Sequence, residues 1–196
     1  MIREPSPYLS VDELKEIGFS VVGRGNKISR NCSFYGVKGF IGDNVRVDDF
    51  CIIKGHVELH DYCHVASYVM ISGAHAQVIV GAFCGLAART TIFTGSDDYG
   101  ADTLGCPETP DIYCTRIKGP ITFGVGAMIG AHSVVLPNVH VGDGASAGCG
   151  CVISNDLPAG GIMRAAPSVV YARRRNWQKI KELALRVLEN HDGGSC

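Results

Sequence analysis

Apolar residues recur at every sixth position over most of this chain. Eighteen positions keep this spacing in four runs, and nearly all of them carry an aliphatic or aromatic side chain. The runs are Val22, Ile28, Phe34; Ile41, Val47, Ile53, Leu59, Val65, Ile71; Val80, Leu86, Ile92; and Phe123, Ile129, Val135, Val141, Ala147, Ile153. Helices repeat every 3.6 residues and strands every 2, so a period of six indicates a solenoid of hexapeptide repeats.

Each hexapeptide is predicted to form one flat strand and one corner, and three of them close one triangular coil. A second register of small residues, which includes Val45, Cys51 and Val57, follows four positions after the first and lines the corners. A coil of this kind buries little apolar surface alone and is stable only within a stack. Glycine often follows the first register, and we expect unusual dihedral angles there. These glycines are Gly42, Gly81, Gly124, Gly130, Gly142 and Gly148.

Two segments resemble a known family. Residues 119–170, GPITFGVGAMIGAHSVVLPNVHVGDGASAGCGCVISNDLPAGGIMRAAPSVV, are similar to the closing block of the hexapeptide-repeat acyltransferases. Residues 92–107, IFTGSDDYGADTLGCP, resemble a loop of the subgroup that O- or N-acetylates sugars for surface polysaccharides. The resemblance covers residues 22–172 and implies an all-β solenoid, the left-handed parallel β-helix. Its hand is implied by the family, because chain chirality alone favours right-handed crossovers.

The resemblance also implies a reaction and an assembly. Family members transfer an acyl group from acetyl-CoA to a hydroxyl or amino group of a sugar, here expected to be nucleotide-linked and used in lipopolysaccharide biosynthesis. Their active sites lie between neighbouring subunits of a homotrimer. Two alternatives stay open at this point, a non-catalytic β-helix subunit that serves assembly and a γ-type carbonic anhydrase. The carbonic anhydrase uses interface histidines, but the family's spread of histidines is missing around His60 and His64.

The flanks of the repeats predict two helices within a single domain of residues 1–196. Ser10 and Glu13 form a capping box ahead of Leu14, so a short helix is expected within an N-terminal cap of residues 1–21. The β-helix is predicted over residues 22–158, with a loop at 94–118, followed by a turn and helix over 159–196. The C-terminal helix rests on apolar residues at helical spacing, namely Trp177, Ile180, Ala184, Val187 and Leu188.

Composition narrows the choice of function class. The chain has 196 residues, 46% of them hydrophobic, with a net charge of −1, which does not favour nucleic-acid binding. It contains neither an apolar stretch of the roughly 18 residues that a membrane span needs nor a signal-peptide core, so a cytoplasmic location is expected. Of its nine cysteines, Cys32, Cys51, Cys63, Cys84 and Cys151 fall in the small register and are interpreted as buried apolar residues.

The hexapeptide register breaks at two places. Nine residues instead of six separate Ile71 from Val80, so a three-residue insertion carries His75. Thirty-one residues separate Ile92 from Phe123, so a loop with Asp97 leaves the column there. Both breaks follow the third strand of a coil, which predicts that they lie along one edge. Long loops in a compact repeat usually serve a site.

The residues at this edge suggest acyl-transfer chemistry. His75 is the candidate base, because a histidine titrates near neutrality. Asp97 stands where better-known relatives have a catalytic histidine, and it is expected to orient His75 or to hold an ammonium group, which leaves amine and hydroxyl acceptors open. Candidate substrate-binding residues are Asp98, Tyr99, Asp102 and His56. An ordinary turn histidine at His75 and simple turn capping by Asp97 and Asp98 stay open as alternatives.

The donor site is implied by the resemblance. The turn at residues 165–170 keeps the family's proline but lacks its glycine, asparagine and lysine, so arginines are expected to meet the CoA phosphates instead. The candidate acyl-CoA-binding residues are Gly130, Ala131, Gly148, Arg164, Pro167 and Arg173. No metal ion is expected.

Overall fold

The computed structural model describes residues 6–165 together with residues 179, 182 and 186. The chain divides into two compact units. The larger comprises Met1–Gly95 and Lys118–Ala166, and the smaller comprises Ser96–Ile117 and Pro167–Cys196.

The larger unit begins with the predicted helix, α1 (Val11–Ile17). The Ser10 side chain accepts a hydrogen bond from the Glu13 N–H, and the Glu13 carboxylate accepts one from the Ser10 N–H at 2.7 Å, so the capping box is confirmed. Leu14 is buried against the first coil. Gly18 ends the helix with a φ of 128°, and a Cβ there would lie 2.2 Å from the Val37 carbonyl oxygen.

Short parallel strands make up the rest of the larger unit. They are β1 (Phe19–Val22), β2 (Lys27–Ile28), β3 (Ser33–Ile41), β4 (Arg46–Val47), β5 (Ile52–Leu59), β6 (His64–Val65), β7 (Met70–Val80), β8 (Gly85–Leu86), β9 (Thr91–Phe93), β12 (Ile121–Phe123), β13 (Met128–Ile129), β14 (Val134–Val135), β15 (Val139–Val141), β16 (Ser146–Ala147), β17 (Val152–Ile153) and β18 (Ile162–Met163). The strands begin at Phe19 and end at Met163, whereas the sequence predicted a β-helix over 22–158.

The strands form three faces, as the hexapeptide pattern predicts. One face, called the second face here, contains β2, β4, β6, β8, β13, β16 and β18 in that spatial order. The longer strands β3, β5 and β7 each turn a corner and contribute to the other two faces. The starts of β5 and β7 lie on the face called the third, where Ile53 pairs with Ile71. Their ends lie on the face called the first, where Leu59 pairs with Val80. Partner residues on adjacent coils are therefore about three hexapeptides apart in sequence.

The core contains the two predicted registers. From Ile41 to Ile153 every residue of the larger register is at most 4% exposed, and the small register is equally buried. Val22 and Phe34 are partly buried and pack against this core. Cys51, Cys63, Cys84 and Cys151 are buried free thiols, and burial raises the pKa of Cys63 to about 12. Cys32 is only partly buried.

The expected reason for the corner glycines was wrong. None of the six glycines that follow the larger register has a positive φ. At all of them except Gly148 the next coil lies too close for a side chain: a Cβ would lie 2.3 Å from Asp61 Oδ1 at Gly42 and 2.4 Å from Asp143 Oδ1 at Gly124. The left-handed dihedrals occur two residues later, where bulky residues such as Tyr62 and Tyr68 adopt φ values of 59° and 65°.

Aromatic stacking accompanies these left-handed corners. Tyr62 and Phe83 stack at 4.9 Å between ring centroids with an interplanar angle of 2°, and Phe50 and Tyr68 stack at 5.0 Å. Arg89 lies over the Tyr68 ring at 5.3 Å. Each contact joins residues of neighbouring coils. The stacking energy therefore offsets the cost of the left-handed backbone conformation, which bulky residues rarely adopt.

The smaller unit contains the predicted loop. Its strands β10 (Gly95–Asp97) and β11 (Arg116–Lys118) pair with each other, and a short 3₁₀ helix covers Asp111–Tyr113. Lys179, Glu182 and Arg186 are helical and exposed, and the remainder of the predicted C-terminal helix lies outside the described residues. No helix in the described part of the chain is long and apolar enough to cross a membrane.

Candidate active site

The three-residue insertion around His75 is confirmed as a bulge in β7. Gly55 of β5 pairs with Gly73 of β7, and the next pair is Val57 with Val78. Residues 74–77 therefore lie opposite the single residue His56. Because a bulge re-aims the side chains that it carries, this segment departs from the regular alternation of the strand. The His75 side chain is exposed.

Thr94 holds the bulge in place. Its Oγ1 accepts hydrogen bonds from the backbone N–H groups of His75 and Ala76, both at 3.2 Å, and donates one to the Ser72 carbonyl at 3.0 Å. Thr94 is fully buried. Gly95 follows it, and a Cβ at that position would lie 2.1 Å from His75 Cδ2. A side chain at position 95 would therefore displace the His75 ring from its present position.

His56 and His75 line one pocket of about 370 Å³. Lys38 and Gln77 also line it, together with glycine backbone at positions 36, 55 and 73. The His56 Nε2 lies 3.1 Å from Glu58 Oε1. Sequence reasoning placed the two histidines on one edge but missed Lys38. The signal was available, because Lys38 precedes His56 by eighteen residues and pairs with it in register.

Asp97 is fixed by an arginine within the smaller unit. The Arg116 Nε lies 3.5 Å from Asp97 Oδ1, and the Arg116 Nη1 also pairs with Asp111. The Arg116 Nη2 is buried and has no hydrogen-bond partner among the residues that the structure describes. Sequence reasoning missed Arg116, since it lies in a loop without any repeat pattern. The loop thus holds the Asp97 carboxylate beside a guanidinium that retains an unused donor.

The other acidic residues of the loop have separate roles. The Asp98 carboxylate accepts a hydrogen bond from the Gly100 N–H at 2.9 Å, so it caps the turn around Tyr99 as the alternative interpretation held. The Asp98 N–H donates to the Thr115 carbonyl at 2.9 Å. Tyr99 is 73% exposed, and Asp102 is partly buried. Tyr99 thus offers most of its surface to a ligand, whereas Asp98 is occupied by the turn.

A second cavity runs along the second face. This groove of about 560 Å³ is lined by three of the predicted acyl-CoA residues, Gly130, Gly148 and Arg164. Its walls include the apolar residues Leu86, Met128, Ile129, Ile162 and Met163. Ala131 follows Gly130 but does not line the groove, and Pro167 and Arg173 lie outside the described residues. A largely apolar groove with an arginine in its wall fits a long, mostly apolar chain that carries a phosphate.

The pocket at His75 and the groove at Gly130 share no lining residue. The other predicted histidines take part in local pairs: His60 contacts the Phe40 ring at 4.8 Å, and His64 Nε2 lies 2.9 Å from Asp48 Oδ2. Within residues 6–165 and the three helical positions, no group of three or more His, Cys, Asp or Glu side chains could hold a metal ion.

Comparisons with known proteins identify the family. Residues 39–73 match the family model "Bacterial transferase hexapeptide (six repeats)". The chain is 34% identical over 180 residues to the dTDP-4-amino-4,6-dideoxy-D-glucose acyltransferase of Escherichia coli. The aligned region covers 90% of this chain and 92% of that protein.

Two structures of AntD, an N-acyltransferase from Bacillus cereus, are similar to this fold. A point mutant in complex with dTDP-4-amino-4,6-dideoxyglucose and coenzyme A has a TM-score of 0.77 at 33% identity, covering 94% of this chain and 98% of AntD. AntD with dTDP and 3-hydroxybutyryl-CoA has a TM-score of 0.77 at 32% identity, covering 95% and 98%. The chain therefore belongs to the hexapeptide-repeat sugar acyltransferases, enzymes built on a left-handed parallel β-helix.

Proposed function

We propose that this enzyme transfers an acyl group from acyl-CoA to the amino group of a dTDP-linked 4-amino-4,6-dideoxy sugar. The observation that carries this proposal is the similarity to the E. coli acyltransferase of that name, which extends over 90% of the chain. AntD, similar over 94% of the chain, was crystallised with the same class of sugar nucleotide and with coenzyme A. The apolar groove at Gly130 and Gly148 supports a pantetheine site in this chain.

The proposed chemistry is direct aminolysis of a thioester. Asp97 would hold the sugar as its ammonium form, which first loses one proton to the exposed imidazole of His75, the proposed acceptor, and becomes the neutral amine. The amine nitrogen then attacks the thioester carbonyl carbon. As the carbon–sulfur bond breaks, the second nitrogen proton is passed to the departing sulfur, so CoA leaves as the thiol. An amine is already nucleophilic once neutral, so this acceptor demands less of the base than a hydroxyl.

We further propose that the working enzyme is a homotrimer. The two cavities share no residue within one chain, which favours a site completed by a neighbouring subunit. A ring of identical subunits joined by one repeated contact closes by rotation. Light scattering in dilute buffer should give a mass near three times the 20.8 kDa chain. A monomer that retained full activity would contradict a shared site.

The test of function is a substrate panel with the purified enzyme. We expect acyl transfer from acetyl-CoA or a longer acyl-CoA to dTDP-4-amino-4,6-dideoxyglucose, and much slower transfer to the matched sugar nucleotide that carries a hydroxyl at the same carbon. Product should be read as a mass increment, because exposed Cys106 and Cys149 would react with thiol reagents. Absence of transfer to any nucleotide-linked amino sugar would overturn the proposal. Use of the product in cytoplasmic lipopolysaccharide synthesis rests on the sequence resemblance alone.

A further inference from the structure

Three basic side chains stand on three successive coils around one pocket. Lys38 pairs in register with His56, and the bulge that carries His75 lies opposite His56 on the next coil. All three residues line the same cavity of about 370 Å³. Parallel coils are spaced by about 4.8 Å, so Lys38 and His75 are separated by roughly 10 Å along the edge.

Three glycines on successive coils, Gly36, Gly55 and Gly73, also line this pocket and are called the glycine floor here. A Cβ at Gly55 would lie 2.2 Å from the Gly73 carbonyl oxygen, and one at Gly73 would lie 2.1 Å from the His56 carbonyl oxygen. The close approach of neighbouring coils therefore excludes side chains at Gly55 and Gly73, whereas Gly36 faces open space. Such a surface allows a ligand's charged group to approach the main chain closely.

The charges at the pocket favour an anion. Lys38 is exposed, and in the part of the chain that the structure describes it has no carboxylate within ion-pair distance. Glu58 contacts His56 at 3.1 Å and His60 at 4.0 Å but does not line the pocket. The residues that line the pocket therefore include the ammonium group of Lys38, two imidazoles and no carboxylate.

We propose that Lys38, His56 and the glycine floor bind the diphosphate of the nucleotide-linked acceptor. This inference rests on the proposed function, and it assigns the part of the acceptor that lies beyond the sugar. If the diphosphate lies at Lys38, a distance of one to two coil spacings separates it from His75. That distance leaves room for the sugar ring whose amino group reacts. The same chemistry occurs in CoA, whose pantetheine arm also ends at a diphosphate, so the experiment must distinguish the two sources.

The experiment compares Lys38→Met with the matched control Lys54→Met. Lys54 is also an exposed lysine of the larger unit, two residues before His56, but it does not line the pocket. We expect Lys38→Met to raise the inhibition constant of dTDP and the KM of the sugar nucleotide by about tenfold, the usual effect of one charge-assisted hydrogen bond. The KM of acyl-CoA and kcat should stay within twofold, and Lys54→Met should match the wild type throughout. Lys38→Arg should retain most of the affinity.

Three outcomes would overturn the inference. An unchanged dTDP constant in Lys38→Met, or an equal rise in Lys54→Met, would remove the site. A rise in the acyl-CoA KM instead would assign the pocket to the donor. The proposed function fails differently, through absent turnover in the wild type. Calorimetric titration of dTDP into the wild type and Lys38→Met decides the inference in that case, because it needs no turnover.

Discussion

The side-chain oxygen of Thr94 holds the main chain of His75, with a 3.2 Å hydrogen bond from the His75 N–H. Thr94 is the last buried residue before the acidic loop, and His75 belongs to the bulge on the preceding coil. One buried hydroxyl therefore connects the two interruptions of the hexapeptide register. The main chain that carries the proposed base is thus held by a fully buried side chain.

Thr94→Val should separate this positioning role from general stability. Valine has a similar shape but removes the hydroxyl that accepts hydrogen bonds from two backbone N–H groups. Each lost hydrogen bond costs about 0.5–1.5 kcal/mol, so we expect a lower melting temperature together with a fall in kcat. Thr94→Ser keeps the hydroxyl and should restore most of the rate. A Thr94→Val enzyme with normal kcat would show that the bulge does not need this bond.

His75→Asn should lower kcat by roughly 10²- to 10⁴-fold if His75 is the base, the usual contribution of general-base catalysis. The KM of acyl-CoA should change little. His140→Asn is the matched control, because His140 is also exposed but bonds to Thr122 on the first face. Steady-state rates at saturating substrates make the comparison. Near-normal turnover in His75→Asn would show that another group accepts the proton.

Asp97→Asn and Arg116→Met should affect the acceptor alone. Asparagine removes the charge that is proposed to hold the substrate ammonium group, and methionine removes the guanidinium that lies 3.5 Å from the carboxylate. We expect kcat/KM for the sugar nucleotide to fall roughly 10- to 100-fold in each, with acyl-CoA binding preserved. Glu108→Gln, an exposed change in the same loop, should be neutral. Equal losses for both substrates would indicate a misfolded loop instead.

Arg164→Ala should weaken donor binding without slowing chemistry. Arg164 lines the apolar groove, and a contact with CoA phosphate that persists from ground state to transition state changes KM but not kcat. We expect a rise of several-fold in the KM of acyl-CoA. Dephospho-CoA thioesters test the assignment: if Arg164 meets the 3′-phosphate, they should lose affinity in the wild type but little more in Arg164→Ala. If the KM of acyl-CoA is unchanged in Arg164→Ala, Arg164 is a solvent-exposed residue without a role in donor binding.

Glu13 should make the N-terminal cap sensitive to acid. Hydrogen bonds from Arg30 and from the Ser10 backbone lower the pKa of Glu13 from 4.5 to about 2. The Glu13 carboxylate thus binds a proton less readily in the folded chain than in the unfolded chain. Its contribution to the stability of the fold is therefore complete above pH 4.5 and is lost as the pH falls through 2. The difference in melting temperature between the wild type and Glu13→Gln should shrink over that interval. A constant difference would contradict a role for the charge.

Sequence alone determined the fold class and the edge that carries the candidate site. The period of six is tied to burial, because each sixth side chain must enter the core of a three-faced coil, and Ile41 to Ile153 are buried as predicted. The count of nine residues between Ile71 and Val80 was enough to locate the bulge at His75. Both inferences need only the length of the repeat, which any reader of the chain can count.

Tertiary structure decided the rest, since those features depend on which coil lies above which. Lys38 lies beside His56 and His75 only through coil stacking. Its eighteen-residue spacing from His56 can be counted in the sequence, but the pocket that the three residues share cannot. Gly42 is required by the Asp61 carboxylate of the next coil, not by its own dihedral angles. Tyr62 tolerates a left-handed backbone beside a Phe83 ring that is distant in sequence. Arg116 meets Asp97 across a loop with no period at all, so only packing could bring the two together.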